Sequence, residues 1–120
     1  MLKPYNRLKT KRSYTATYSN HNVVGNNLIV VYAGKIKTDK NCPTRVGFVV
    51  SKKVSKRAVK RNRIKRLMRE VIRKMFLNQE VQILNNYQSL IFSARVDVLD
   101  KDISIINNSI VKLLDRIANK

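Results

Sequence analysis

RVGFVVSKKVSKRAVKRNRIKRLMREVIRKMF, residues 45–76, is the stretch that decides the fold. Its opening run, Arg45-Val46-Gly47-Phe48-Val49-Val50-Ser51, is β-branched and aromatic and of strand length. Beyond about Ala58 the apolar residues change period. Ile64, Leu67, Met68, Val71, Ile72, Met75 and Phe76 recur at spacings of three and four, which is the pattern of a helix running to Phe76. On a helical wheel Ile64, Leu67, Met68, Val71, Ile72 and Met75 fall within a sector of about 140°, a face for a core. Asn62, Arg66, Arg69 and Arg73 fall together on the opposite side. Between Lys52 and Lys74 twelve Lys or Arg residues stand against one acid, Glu70. A disordered tail needs no apolar stripe, and a purely structural helix rarely tolerates such one-sided charge. The sequence predicts a strand feeding a helix with one face in a core and the other built for a polyanion.

Working outward, Asn6 to Ser19 is basic, with Tyr14 and Tyr18 four residues apart and so on one face of a short helix. Val23 and Val24 lead through the turn residues Gly25-Asn26-Asn27 into Leu28-Ile29-Val30-Val31-Tyr32-Ala33, a hairpin with a buried second strand. Gly34 to Pro43 is polar and reads as an exposed loop. Downstream of the basic helix, Asn78 to Gln88 reads as a connector in which Val81, Ile83 and Leu84 can prolong the helix. Leu90-Ile91-Phe92-Ser93-Ala94 is a further strand. Asp100 or Asp102 can cap a last helix with Ile103, Ile106, Ile110, Leu113, Leu114 and Ile117 on one face. The order is α-β-β-β-α-β-α with no repeat and no second domain over 1–120. The layer logic gives a single-domain α+β sandwich, helices packed on one four-stranded sheet.

A chain of 120 residues with 43% hydrophobic residues can bury a core, whereas a formal charge of +19 calls for a counter-charged partner. Nucleic acid fits best, since each neutralised phosphate releases counterions. A basic amphipathic helix can instead lie on a membrane, but this one has no Trp and its apolar face is needed to cover the sheet. No apolar run is long enough to span a bilayer, and Met1 to Thr10 is polar and basic with no apolar core of a signal peptide. A soluble cytoplasmic protein is expected.

Guanidinium groups bind phosphates bidentately and stack on bases, so Arg66, Arg69 and Arg73, with Asn62 among them, form a candidate nucleic-acid-binding stripe. Lys52, Lys53, Lys56, Arg57, Lys60 and Arg61 crowd the approach to the helix N-terminus, where the helix dipole already favours anions. Tyr14, Tyr18 and Tyr32 can line a shallow cleft for unpaired nucleotides, or be ordinary boundary aromatics. Catalytic constellations are missing from the pattern. The three glycines form no phosphate loop, Cys42 and His21 are each the sole residue of their kind, and no Ser-His-Asp or paired-carboxylate arrangement stands out. Asp97, Asp100 and Asp102 are the one near cluster of acids and suit helix capping better than a metal. If the protein serves an enzyme, the chemistry is expected in its partner.

These residues resemble the protein component of bacterial-type ribonuclease P. The likeness is densest at Arg45-Val46-Gly47-Phe48-Val49-Val50-Ser51-Lys52-Lys53 and at Arg61-Asn62-Arg63-Ile64-Lys65-Arg66, which contains that family's Arg-Asn-Arg signature. Asn6-Arg7-Leu8 is similar to the family's opening, Tyr14, Tyr18 and Tyr32 take the places of its cleft aromatics, and Ala94-Arg95 matches the close of its last strand. His21 stands where a turn glycine is common before the hairpin, and Ser89 where an acid often opens the last strand.

The resemblance implies a left-handed βαβ crossover. It implies that the helix around Arg61, Asn62, Arg63, Lys65 and Arg66, with Lys52, Lys53, Lys56, Arg57, Arg69 and Arg73, binds a catalytic RNA subunit. Tyr14, Tyr18 and Tyr32 would then bind the 5′ leader of precursor tRNA, and the RNA would cleave the leader with Mg²⁺, mainly RNA-bound. No catalytic residue, no protein-held metal and no obligate protein partner are expected of the chain itself. The location is expected to be the cytoplasm, or an organelle stroma for a plastid-type protein. The competing class is a ribosomal or assembly protein that binds structured RNA without enzymatic output; a major-groove DNA binder comes third.

Overall fold

The computed structural model describes residues 3–39, 41–78 and 86–119. The connector residues Val81, Ile83 and Leu84 lie outside them. The elements are α1 (Lys11–Ser19), β1 (Asn22–Gly25), β2 (Ile29–Ala33), β3 (Arg45–Val49), α2 (Ala58–Asn78), β4 (Ser89–Ala94) and α3 (Ile103–Ala118). They form one mixed four-stranded sheet in the order β1-β2-β4-β3. β1 pairs antiparallel with β2, and β2 with β4, while β3 runs parallel to β4. The strand-to-helix stretch quoted first is therefore the first half of a parallel crossover, β3-α2-β4, as a long connecting helix requires.

Side-chain alternation gives the sheet two faces. Val24, Ile29, Val31, Ala33, Val46, Leu90, Phe92 and Ala94 are buried on one, where they meet Ile64, Met68, Val71, Ile72 and Met75 of α2 and Ile106, Ile110, Leu113, Leu114 and Ile117 of α3. Leu67, Phe76 and Ile103, also expected in the core, are partly buried against it. Asp102 caps α3, its side chain accepting from Ile105 N at 3.1 Å, which decides between the two candidate caps. Arg116 in the last turn of α3 donates to Gly25 O at 2.8 Å, and Asn26 Nδ2 donates to Ser109 Oγ at 2.7 Å, so the β1–β2 turn is held to α3.

The short helix expected within Asn6 to Ser19 occupies the later part of that stretch, beginning at Lys11. The preceding residues are used to close the outer edge of β3. Pro4–Asn6 is a 3-10 turn, Arg7 bridges in parallel to Val46, and Leu8 N donates to Val46 O at 3.0 Å. Buried Asn6 donates its amide to Thr44 O at 2.8 Å. An exposed strand edge is an aggregation liability, and covering it outweighs one more helical turn. Thr10 then caps α1 by accepting from Ser13 N. β3 likewise ends at Val49 rather than Ser51, because Val54 N turns back to Ser51 O.

Candidate nucleic-acid interface

On α2 the stripe divides into guanidiniums that are held and guanidiniums that are available. Asn62, Arg66 and Arg69 are exposed on one face. Arg73, the fourth member, pairs with Glu70 through two bonds of 3.0 and 2.6 Å. That hydrogen-bonded contact lowers the Glu70 pKa and raises that of Arg73, so the only acid between Lys52 and Lys74 is already neutralised by its neighbour. Arg61 and Arg63, both expected in the interface, diverge from the stripe because each lies about 100° from Asn62. Arg61 Nη1 donates to Ser55 O and Lys56 O, both at 2.9 Å. Arg63 reaches Leu99 O at 3.3 Å and Lys101 O at 3.4 Å. The first ties down the segment that leads into α2; the second ties α2 to the turn before α3. Lys52, Lys53, Lys56 and Arg57 are exposed on that leading segment, and Lys65 is half-buried.

The second part of the site lies on the other face of the sheet. There α1 rests across β2, β4 and β3, and four side-chain contacts set its position. Thr17, 1% exposed, shares a 2.5 Å hydroxyl–hydroxyl hydrogen bond with Ser89 of β4. Gly34 permits this, since a Cβ there would collide with Ser89 Oγ. Asn20 Nδ2 donates to Ala33 O at 3.3 Å. Tyr14 lies over Gly47 of β3, where a Cβ would stand 2.7 Å from Tyr14 Cζ. One turn on, Tyr18 meets Tyr32 of β2 edge to face, with ring centroids 4.8 Å apart and planes at 82°.

The three tyrosines thus form one row along the outer face of the sheet, and Tyr18 remains 39% exposed. Burial raises the pKa of Tyr14, partly offset by the positive charge of Arg69; burial and the neighbouring Tyr32 and Tyr14 raise that of Tyr18. Tyr14 and Arg69 line one small pocket, so the free end of the cationic stripe lies beside the aromatic row. Positive charge and a surface suited to base stacking therefore adjoin. Sequence reasoning had found the tyrosines but not what seats them. A glycine inside a strand is a signal of close backbone approach, so Gly47 could have been found; the Thr17–Ser89 pair, 72 residues apart, carried no local signal.

The family model described as Ribonuclease P matches residues 2–118. The chain belongs to the ribonuclease P protein family. The ribonuclease P protein component of Clostridium kluyveri is 37% identical over 110 residues, which is 92% of both chains. That of Clostridioides difficile is 37% identical over 109 residues, covering 91% of this chain and 89% of the relative. Among solved structures, the Staphylococcus aureus RNase P protein superposes with a TM-score of 0.74 at 32% identity, covering 94% of each chain. The RNase P protein from Thermotoga maritima, at 23% identity and a TM-score of 0.72 over 92% of this chain and 96% of that one, shares the fold.

As a ribonuclease P protein component the chain serves tRNA processing within a ribonucleoprotein, and its partner in the holoenzyme is an RNA. The ribosomal alternative finds no support among these relatives. His21, standing where ribonuclease P proteins often carry a turn glycine, adopts φ 56. The histidine is accommodated in the left-handed region that glycine adopts most readily. Among the described residues no three His, Cys, Asp or Glu side chains come together as a metal site. Asp102 is occupied in capping α3. No helix among them is long and apolar enough to cross a membrane.

Proposed function

We propose that the two halves of the site take two different RNAs. Asn62, Arg66 and Arg69, flanked by Lys52, Lys53, Lys56, Arg57, Lys65 and Arg73, bind the catalytic RNA subunit by its phosphates. Arg61 and Arg63 act mainly by fixing the backbone around that surface. The row of Tyr14, Tyr18 and Tyr32 receives the single-stranded 5′ leader of precursor tRNA, each ring offering a face or edge to an unstacked base. Mg²⁺ sits mainly on the RNA, where it supplies charge stabilisation for phosphodiester hydrolysis. The protein's own work is to bind and orient: it neutralises phosphates, holds the leader extended, and raises the affinity for substrates that still carry one. The cytoplasm is the proposed location.

The observation that carries this reading is the junction of Tyr14 with Arg69, where an aromatic row opens directly onto guanidiniums that have no partner among the described residues. Reconstitution tests it. Purified protein added to the RNA subunit from the same source at low Mg²⁺ is expected to raise the cleavage rate of precursor tRNA and to tighten its binding over mature tRNA. Equal affinity for precursor and mature tRNA would remove the leader from the aromatic row.

A further inference from the structure

Where the aromatic row meets α2 there is a small, separate pocket of about 120 Å³. Its polar walls are Arg7, Tyr14 and Arg69, and its floor is the bare strand at Gly47 with Leu8 and Phe48 beside it. None of the residues lining it is acidic. Arg7 is carried there by the segment that closes the edge of β3, through its backbone bridge to Val46. Arg69 is carried there by α2. Among the described residues neither guanidinium has a hydrogen-bond or ion-pair partner, in contrast to Arg61, Arg63, Arg73 and Arg116, each of which is bonded to a carbonyl or a carboxylate. Gly47 keeps the pocket open: a Cβ there would drive into the Tyr14 ring. With two guanidiniums and a phenol hydroxyl on its walls and no acid, the pocket suits one tetrahedral oxyanion, which these groups can surround with donors.

We propose that this pocket seats a single phosphodiester of the precursor-tRNA leader, gripped between Arg7 and Arg69. The inference rests on the leader path proposed above and adds to it a fixed backbone register. Stacking on tyrosines tolerates any base and permits sliding. One phosphate held on two sides fixes which nucleotide lies over Tyr14. Arg7 thereby becomes a positioning residue for the leader, and Arg69 faces the substrate as well as the RNA subunit.

The test uses reconstituted holoenzyme and a set of precursor tRNAs, each with one uncharged methylphosphonate linkage at a different leader position. With the unaltered protein, one position is expected to lose affinity by roughly 3- to 10-fold, the scale of one partly desolvated charge contact. Arg7→Ala is expected to lose a similar factor with the all-phosphate substrate and nothing further at that one position. Arg7→Lys, which keeps the charge but not the fork, should recover part of the loss. The fold does not depend on the Arg7 side chain, since its bridge to Val46 is made by the backbone, and the thermal midpoint should not move. Additive losses at every leader position would overturn the inference. So would an Arg7→Ala protein that binds the RNA subunit more weakly while keeping its substrate affinity, because the phosphate would then belong to that subunit. Tyr18→Ala measured in parallel separates the two levels. If it weakens precursor over mature tRNA while Arg7 couples to no phosphate, the leader path stands and the pocket fails alone.

Discussion

The ring of Tyr14 on α1 rests against the bare backbone of Gly47 on β3, so closely that a Cβ at residue 47 would lie 2.7 Å from Tyr14 Cζ and 2.8 Å from Cε1. The aromatic row is thus seated by a missing side chain. Gly47→Ala has to move the Tyr14 ring or the helix that bears it. A misfit of this kind costs about 1–3 kcal/mol. Loss of stability should come with weaker binding of precursor tRNA, and Tyr14→Ala in the Gly47→Ala background should restore the stability by removing the clash. Thermal unfolding of the single and double variants decides the point. A Gly47→Ala protein as stable as the parent would mean that Tyr14 is free to swing away.

Tyr18 and Tyr32 meet edge to face at 4.8 Å, and Tyr18 keeps 39% of its surface exposed. Tyr18→Ala is expected to weaken precursor tRNA by roughly 1–3 kcal/mol, the worth of one base–aromatic stack, and to leave mature tRNA little changed. The edge-to-face contact adds a smaller coupling of about 0.5–1.5 kcal/mol between the two rings. It should show in a double-mutant cycle of unfolding free energies. Parallel losses for precursor and mature tRNA would make Tyr18 a structural residue only.

Arg61 and Arg66 lie five residues apart in one basic run and should behave oppositely. Arg61 holds Ser55 O and Lys56 O at 2.9 Å, so Arg61→Ala should cost about 1 kcal/mol of stability, as expected for a lost charge-assisted bond at a half-buried site. Arg66 is exposed and has no described partner. Arg66→Ala should leave stability unchanged and weaken RNA-subunit binding, lowering the slope of log affinity against log salt by about 0.7–0.9, one phosphate's worth. Salt titrations of the two variants check this. Unchanged salt dependence for Arg66→Ala would take that residue out of the interface.

Both Tyr14 and Tyr18 have pKa values raised above the ordinary 10.0, chiefly by burial. Folding therefore favours the neutral phenol, and above pH 10 the native chain holds more protons than the unfolded one. The sign follows: their contribution is intact below pH 10 and is lost as the pH climbs through the folded values. Arg69 opposes the shift at Tyr14, so Arg69→Ala should push Tyr14 ionisation to still higher pH. Phenolate absorbance, read against Tyr14→Phe to isolate that group, measures it. A fall toward lower pH in Arg69→Ala would contradict the juxtaposition of the two side chains.

Most of this architecture is legible where periodicity is strong. The 3.6-residue rhythm of Ile64, Met68, Val71, Ile72 and Met75 fixes both the span of α2 and its buried face, and the strands follow from β-branched runs bounded by turn residues. The start of α1 was not legible. Composition places a short helix somewhere within Asn6 to Ser19, and its start at Lys11 is set by the tertiary need to cover β3 with the residues before it. On the wheel the cationic stripe was visible but its occupancy was not. Whether a guanidinium is free or bound to a distant carbonyl, as Arg63 is to Leu99 O, depends on chain segments that meet only after folding. The same holds for Thr17 and Ser89.

His21 is the one non-glycine with positive φ among the described residues, at 56°. An L-residue in that region carries roughly 1–2 kcal/mol of local strain, least for residues such as Asn and His. Replacing it with glycine removes the strain but adds freedom to the unfolded chain, worth about 0.4–1 kcal/mol in the other direction. The net expectation for His21→Gly is a gain of up to about 1 kcal/mol. His21→Val, a β-branched residue with no tolerance for this conformation, should lose at least as much. Urea unfolding resolves the difference if sulfate is held constant, since a chain of net charge +19 is stabilised by bound anions as well as by its own contacts. If the glycine and valine variants unfold at the same midpoint, residue 21 is not held in the left-handed region and the tight turn between Tyr18 and the hairpin is mobile rather than built.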